Sequence, residues 1–228
     1  MNSYLLGARL AQAPLRSYRV GAYVGVMLTL LSTVSMLERG RSPAASFDHV
    51  LFRFVLTWAL PLTSFFAVSD VCYKSRLGQG FNPIGRYGHS KRELTLGSLC
   101  TAGAFSVAVN LLFVWVALGL TQQSFNRTVL VDGLTTSWVV SLGALTYVVW
   151  FAFWSTLGEH GGGRIFGLLL DWGLGLGGSL ASWFSPQAHL RNLLGGPAPG
   201  GLLQSYSTIS LAGILVLCLA LALRRTDP

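Results

Sequence analysis

Asp171 is the one acid set well inside an apolar run of this sequence, six residues beyond Ile165. An ionised carboxylate at that depth is costly in hydrocarbon, so the side chain must face a cavity, find a partner or carry a proton. Its position is equally compatible with a charge in a transport path and with a hydrogen-bonded structural acid. The remaining polar residues do not assemble a catalytic set. Glu159 and His160 are adjacent and diverge on any regular element, and no His-Glu-x-x-His or paired-Glu spacing occurs. Ser, His and Asp are too scattered for a nucleophilic triad. Gly161-Gly162-Gly163-Arg164 lacks the Lys-Ser/Thr of a phosphate-binding loop. Cys72, Cys100 and Cys218 have no metal-binding spacing and read as small packing residues. The expectation is a chain that is not itself an enzyme and binds neither cofactor nor metal.

A second concentration of chemistry lies in the polar hinge Phe81–Leu99, FNPIGRYGHSKRELTLGSL. Arg86, Lys91 and Arg92, with Lys74 and Arg76 upstream, make it the densest basic patch in the chain. Gly78, Gly80, Pro83, Gly85 and Gly88 break any helix that enters it. Ser90-Lys91-Arg92-Glu93 restarts one, because S-x-x-E is the spacing of a capping box. The spacing therefore predicts a short structured element joined rigidly to the helix that follows. An ordinary positive loop at a membrane face would carry the same basic residues.

These residues sit between long apolar stretches. The 228 residues are 52% hydrophobic and 11% charged, against roughly 25% charged in soluble domains. An integral membrane protein follows. The net charge of +8 does not indicate nucleic acid, because the basic residues cluster at the ends of apolar runs. Six such runs are expected to cross the membrane: 20–37, 50–68, 94–120, 135–157, 165–184 and 206–223. Arg53 snorkels from the second run, and Pro61 should bend it. With the N-terminus inside, residues 9, 16, 19, 74, 76, 86, 91, 92, 164, 224 and 225 place eleven Lys/Arg on the inner side. Residues 39, 41, 53, 127 and 191 place five outside, which predicts both termini in the cytoplasm.

Residues 2–19 read as an amphipathic segment lying along the interface, with Pro14 as a kink. A cleaved signal peptide is the rival reading, with Pro43-Ala44-Ala45-Ser46 as its cleavage zone. The apolar run exceeds the about 7–15 residues of a signal core, which favours an uncleaved anchor. Near the other end, Ser185 is placed to cap a short helix with Pro186 at its first position, before the break Gly195-Gly196-Pro197. That helix is expected in or dipping into the outer interface, with His189 as a surface polar residue rather than a ligand. Gly173 and Gly177 form a GxxxG pair, and Gly175 with Ser179 repeats the spacing one step round. Trp138 and Trp183 best fit interfacial anchors. Asn126-Arg127-Thr128 matches a glycosylation sequon and is read as a loop.

Together these features resemble the membrane subunit of ABC-2 type ABC transporters. Residues 2–19 resemble the connecting helix, FNPIGRYGHSKREL the hinge between helices two and three, and SPQAHLRNLLGG the re-entrant loop before helix six. The hinge departs from many members at GHSKREL, where a proline is common, since Pro83 comes earlier here. The resemblance implies a single all-α permease domain over residues 1–228, with a connecting helix at 2–19, a cytoplasmic coupling region at 71–93 and an external loop at 185–204. It implies a coupling helix docked on a separate ABC ATPase, two copies of which would carry the ATP and Mg. Phe81 would be its apolar anchor and Arg86 a charged contact; Pro83, Ile84 and Tyr87 complete the docking surface, and Ser90 and Glu93 fix the next helix. A second permease copy or a homologous permease, and membrane lipids, are the other partners implied. Asp171 and Trp58 are the candidate lining of the substrate path. Export of a hydrophobic or amphipathic substrate across the plasma (inner) membrane is the implied activity. A membrane scaffold without an ATPase shares the topology but needs no docking element. A proton-coupled carrier would need more intramembrane ionisable partners for Asp171 than the sequence offers.

Overall fold

The computed structural model describes residues 2–40, 42–72, 75–122, 127–175 and 179–226. Every regular element among them is helical. Asn2 caps α1 (Ser3–Leu15) by accepting the Tyr4 amide at 3.0 Å, and the helix ends just beyond Pro14. The chain restarts at once in α2 (Tyr18–Leu37). The long helix α3 (Pro43–Val71) follows, then the short α4 (Asn82–Gly85), α5 (Lys91–Thr121) and α6 (Arg127–Trp154). After these come α7 (Gly163–Gly175), α8 (Pro186–Leu193) and α9 (Gln204–Arg224).

Five helices, α2, α3, α5, α6 and α9, are long and apolar enough to cross a membrane. The fifth apolar run is divided. Its helix α7 has 13 described residues, about 20 Å of rise, and Leu180–Phe184 form a 3₁₀ turn; residues 176–178 lie outside the described residues. A bilayer core is roughly 30 Å thick, so the described part of α7 does not by itself reach across it.

α3 is not a uniform helix. Residues Leu51–Ala59 adopt the wider π geometry, and the α ladder resumes at Leu60. Thr57 Oγ1 donates to the Phe52 carbonyl at 2.8 Å within that stretch. Pro61 follows the π stretch and has no amide to offer the ladder, and it is there that the register changes.

The N-terminal segment does more than lie on a surface. α1 packs against the first half of α5, where a Cβ on Gly7 would overlap the Leu94 carbonyl and one on Gly97 the Tyr4 carbonyl. Ser98 Oγ donates to the Gly7 carbonyl at 3.0 Å across this crossing. Glycine is required at both positions because the two backbones touch.

The connections collect at two ends of the bundle. At one, Leu77 N donates to Ser155 O at 3.4 Å, Arg76 Nε to Gly158 O at 2.7 Å and Arg225 Nη1 to Thr156 Oγ1 at 3.2 Å. Ser3 Oγ and His89 Nδ1, 3.2 Å apart, bring the N-terminus to the hinge. At the other end, Arg39 Nε donates to Leu120 O at 2.9 Å and Gln122 Nε2 to Pro43 O at 3.2 Å.

Candidate functional site

The hinge forms a braced projection. Gly78 turns the chain in the left-handed region at φ 82°, beside Thr226. A 3₁₀ turn, Gln79–Phe81, leads into α4, and Gly88 at φ 84° ends the turn that follows. Ser90 Oγ accepts the Glu93 amide at 3.4 Å, the cap expected at the start of α5. The Lys91 side chain lies along α4, with Cε 3.2 Å from where a Gly85 Cβ would stand.

Phe81, expected as an apolar anchor for a partner, is buried at 5% exposure. Its ring serves the fold and holds the turn onto the bundle. The outward residues are Pro83, Arg86 and Tyr87, with Ile84 half-exposed; Tyr87 is 85% exposed. The free aromatic of the hinge is therefore Tyr87. Lys74 of the basic patch lies outside the described residues.

Asp171 sits at the centre of a second arrangement, wholly buried. Tyr147 donates to Oδ2 at 2.5 Å; Ser185 Oγ at 2.6 Å and the Gln187 amide at 3.2 Å donate to Oδ1. Ser185 also accepts the Ala188 amide at 3.4 Å, so one hydroxyl caps α8 and ties it to α7, with Pro186 at the first position as expected. Gln187 Nε2 reaches Thr57 Oγ1 at 3.1 Å, and the Trp172 indole donates to Thr57 O at 2.8 Å. The acid thus joins α6, α7 and α8, and its neighbours extend the network to the π stretch of α3. With three donors the carboxylate is fully engaged, which fits the structural role.

His189 is not a surface residue. It is fully buried, with Nε2 2.9 Å from Trp183 O and Nδ1 3.1 Å from Ser207 Oγ. A carbonyl only accepts, so Nε2 carries a proton. Asn192 Nδ2 donates to the same Ser207 hydroxyl at 2.8 Å. α8 folds back among α6, α7 and α9, which buries a histidine whose polar atoms are satisfied inside. Sequence spacing missed this because α8 has a polar composition; Tyr147, Ser207 and Thr57 carried no local signal of their role.

Trp58 is 47% exposed and packs its ring against Trp172 at 4.6 Å between centroids. Among the described residues Gly173 meets no neighbour: none lies within 4 Å of a Cβ placed there. Its expected partner Gly177 lies outside the described residues. Gly175 makes the close approach instead, since a Cβ there would stand 2.6 Å from Gln187 Oε1. Trp138 and Trp183 are 63% and 43% exposed. The sequence matches no known protein-family model and no curated protein.

Proposed function

We propose that this chain is the transmembrane subunit of an ATP-driven exporter of the ABC-2 type. The observation that carries the reading is the hinge: a short helix and exposed Tyr87 project from one end of an apolar bundle, braced by both chain termini. A loop that only connects two helices needs neither a cap nor three neighbouring braces. A docking element needs both, because a push on it must reach α3 and α5 as rigid levers.

In this reading the hinge end faces the cytoplasm and meets a separate ABC ATPase, present in two copies, which binds the ATP and Mg. A second copy of this chain, or a homologous permease, completes the pathway about a twofold axis. α7 and the turn after it make the sixth crossing. The segregation of connections to two ends supports that count, as does the Lys/Arg bias for both termini inside the plasma (inner) membrane. The substrate is hydrophobic or amphipathic, reached from the bilayer.

The test is co-expression with a candidate ABC ATPase, followed by purification of the complex and measurement of ATP turnover. Retention of the ATPase and stimulated turnover are expected. A chain that retains no ATPase while remaining folded would favour the scaffold reading.

A further inference from the structure

A cleft of about 450 Å³ opens at the hinge end, between the start of α2, the last turns of α3 and the start of α7. Its size falls within the roughly 300–1,000 Å³ of small-molecule sites. The inner wall is aromatic, formed by Tyr23, Phe65, Phe66 and Phe105. The Tyr23 hydroxyl lies 3.3 Å from Thr63 Oγ1, and its ring is 4.7 Å from that of Phe66.

The rim is charged. Arg19, His160 and Arg164 line it together with Asp70, which lies within electrostatic reach of both arginines. Two guanidinium groups face one carboxylate, so the excess is positive. Arg164 is only 5% exposed; Nε donates to Gly161 O at 3.0 Å and Nη2 to His160 O at 3.4 Å, while Nη1 is buried without a partner among the described residues. A buried charge left unpaired is costly, and an anion on the rim would offset it electrostatically. The turn beneath it is held in an unusual conformation. His160 has φ 52°, the one non-glycine residue in the left-handed region among the described residues, and a Cβ on the neighbouring Gly161 would press on Arg164 Nη2.

We propose that this cleft binds an anionic phospholipid, with its phosphate at Arg164 and Arg19 and an acyl chain along the aromatic wall. A soluble anion would use the rim but leave the wall wetted, whereas a lipid removes both costs. Basic pockets between membrane helices suit anionic head groups in this way. The proposal requires that the chain lie in a bilayer and not that it transport anything, so its outcome is separable from the exporter reading.

The full chain in detergent is incubated with phosphatidylglycerol or phosphatidylcholine of matched acyl chains, and retained lipid is counted by native mass spectrometry. Phosphatidylglycerol should be retained over phosphatidylcholine. Arg19→Gln and Arg164→Gln should each weaken its retention roughly tenfold, the loss of one charged hydrogen-bonding group. Arg224→Gln removes the same charge outside the cleft and should change nothing. Arg164 also braces its turn, so Ser69→Trp gives a second route: it fills the cleft with every arginine in place and should abolish retention. Equal retention of the two lipids, an equal loss with Arg224→Gln, or wild-type retention by Ser69→Trp would each overturn the proposal. So would displacement of the lipid by equimolar glycerol phosphate, which would mark a site for a soluble anion.

Discussion

The indole of Trp172 donates to the carbonyl of Thr57 at 2.8 Å, in the π stretch that ends just before Pro61, a residue with no amide to give the ladder. A proline that frees a backbone acceptor inside an apolar helix demands a donor from elsewhere, and α7 supplies it. Trp172→Phe keeps the ring and removes the donor, and should lower stability by about 1–3 kcal/mol. Pro61→Ala restores an amide, so the same Trp172→Phe change should cost much less in that background. Equal costs in the two backgrounds, read from thermal unfolding in detergent, would break the link between these residues.

Asp171 is expected to act through its acceptors rather than its charge. Asp171→Asn keeps an oxygen for Ser185 and Gln187, and a tyrosine hydroxyl can accept from the new amide. That variant should fold and retain transport across pH. Asp171→Leu strands three donors and should cost several times the about 1–3 kcal/mol of one unsatisfied group, visible as loss of the monodisperse folded peak. Loss of transport in a well-folded Asp171→Asn protein would return the acid to the substrate path.

The hinge separates two aromatic roles. Phe81→Ala empties a buried site and should destabilise the fold by about 3–5 kcal/mol. Tyr87→Ala combined with Arg86→Ala should leave the melting temperature unchanged while weakening ATPase retention more than tenfold, as loss of an interface anchor of about 2 kcal/mol implies. Wild-type retention by a folded double variant would remove the docking surface proposed for this hinge.

Two glycines in helices should respond with opposite sign. A methyl group at Gly97 overlaps the Tyr4 carbonyl, so Gly97→Ala should push α1 from α5 and lower the melting temperature. Gly173→Ala meets no described residue within 4 Å and should gain the helix propensity of alanine, up to about 1 kcal/mol. A stable Gly97→Ala protein would mean that α1 does not hold α5 as closely as described.

Sidedness is open to single-cysteine labelling. In a background with Cys72, Cys100 and Cys218 replaced, Gln79→Cys should resist an impermeant reagent added outside, and Pro197→Cys should react. Gln187, in the expected outer loop, is buried and is unsuitable as a reporter. Outside labelling at residue 79 would invert the orientation and remove the coupling assignment.

Membrane residence and helix were legible from composition and hydropathy alone, because both depend on residues close in sequence. The caps at Ser90 and Ser185 were legible for the same reason: a capping oxygen bonds amides two or three residues away. The need of Asp171 for partners was also readable, since hydrocarbon penalises any bare acid. Which partners it has was not readable. Tyr147 stands 24 residues before it, and the bond between Trp172 and Thr57 spans 115 residues. Only the packing of α3, α6, α7 and α8 brings those atoms together. The same packing turned His189 and Phe81 inward against their expected roles. Whether a side chain is covered depends on which distant helix lies over it, and that is set by close approaches such as Gly97 on Tyr4 and Gly175 on Gln187, which no local pattern encodes.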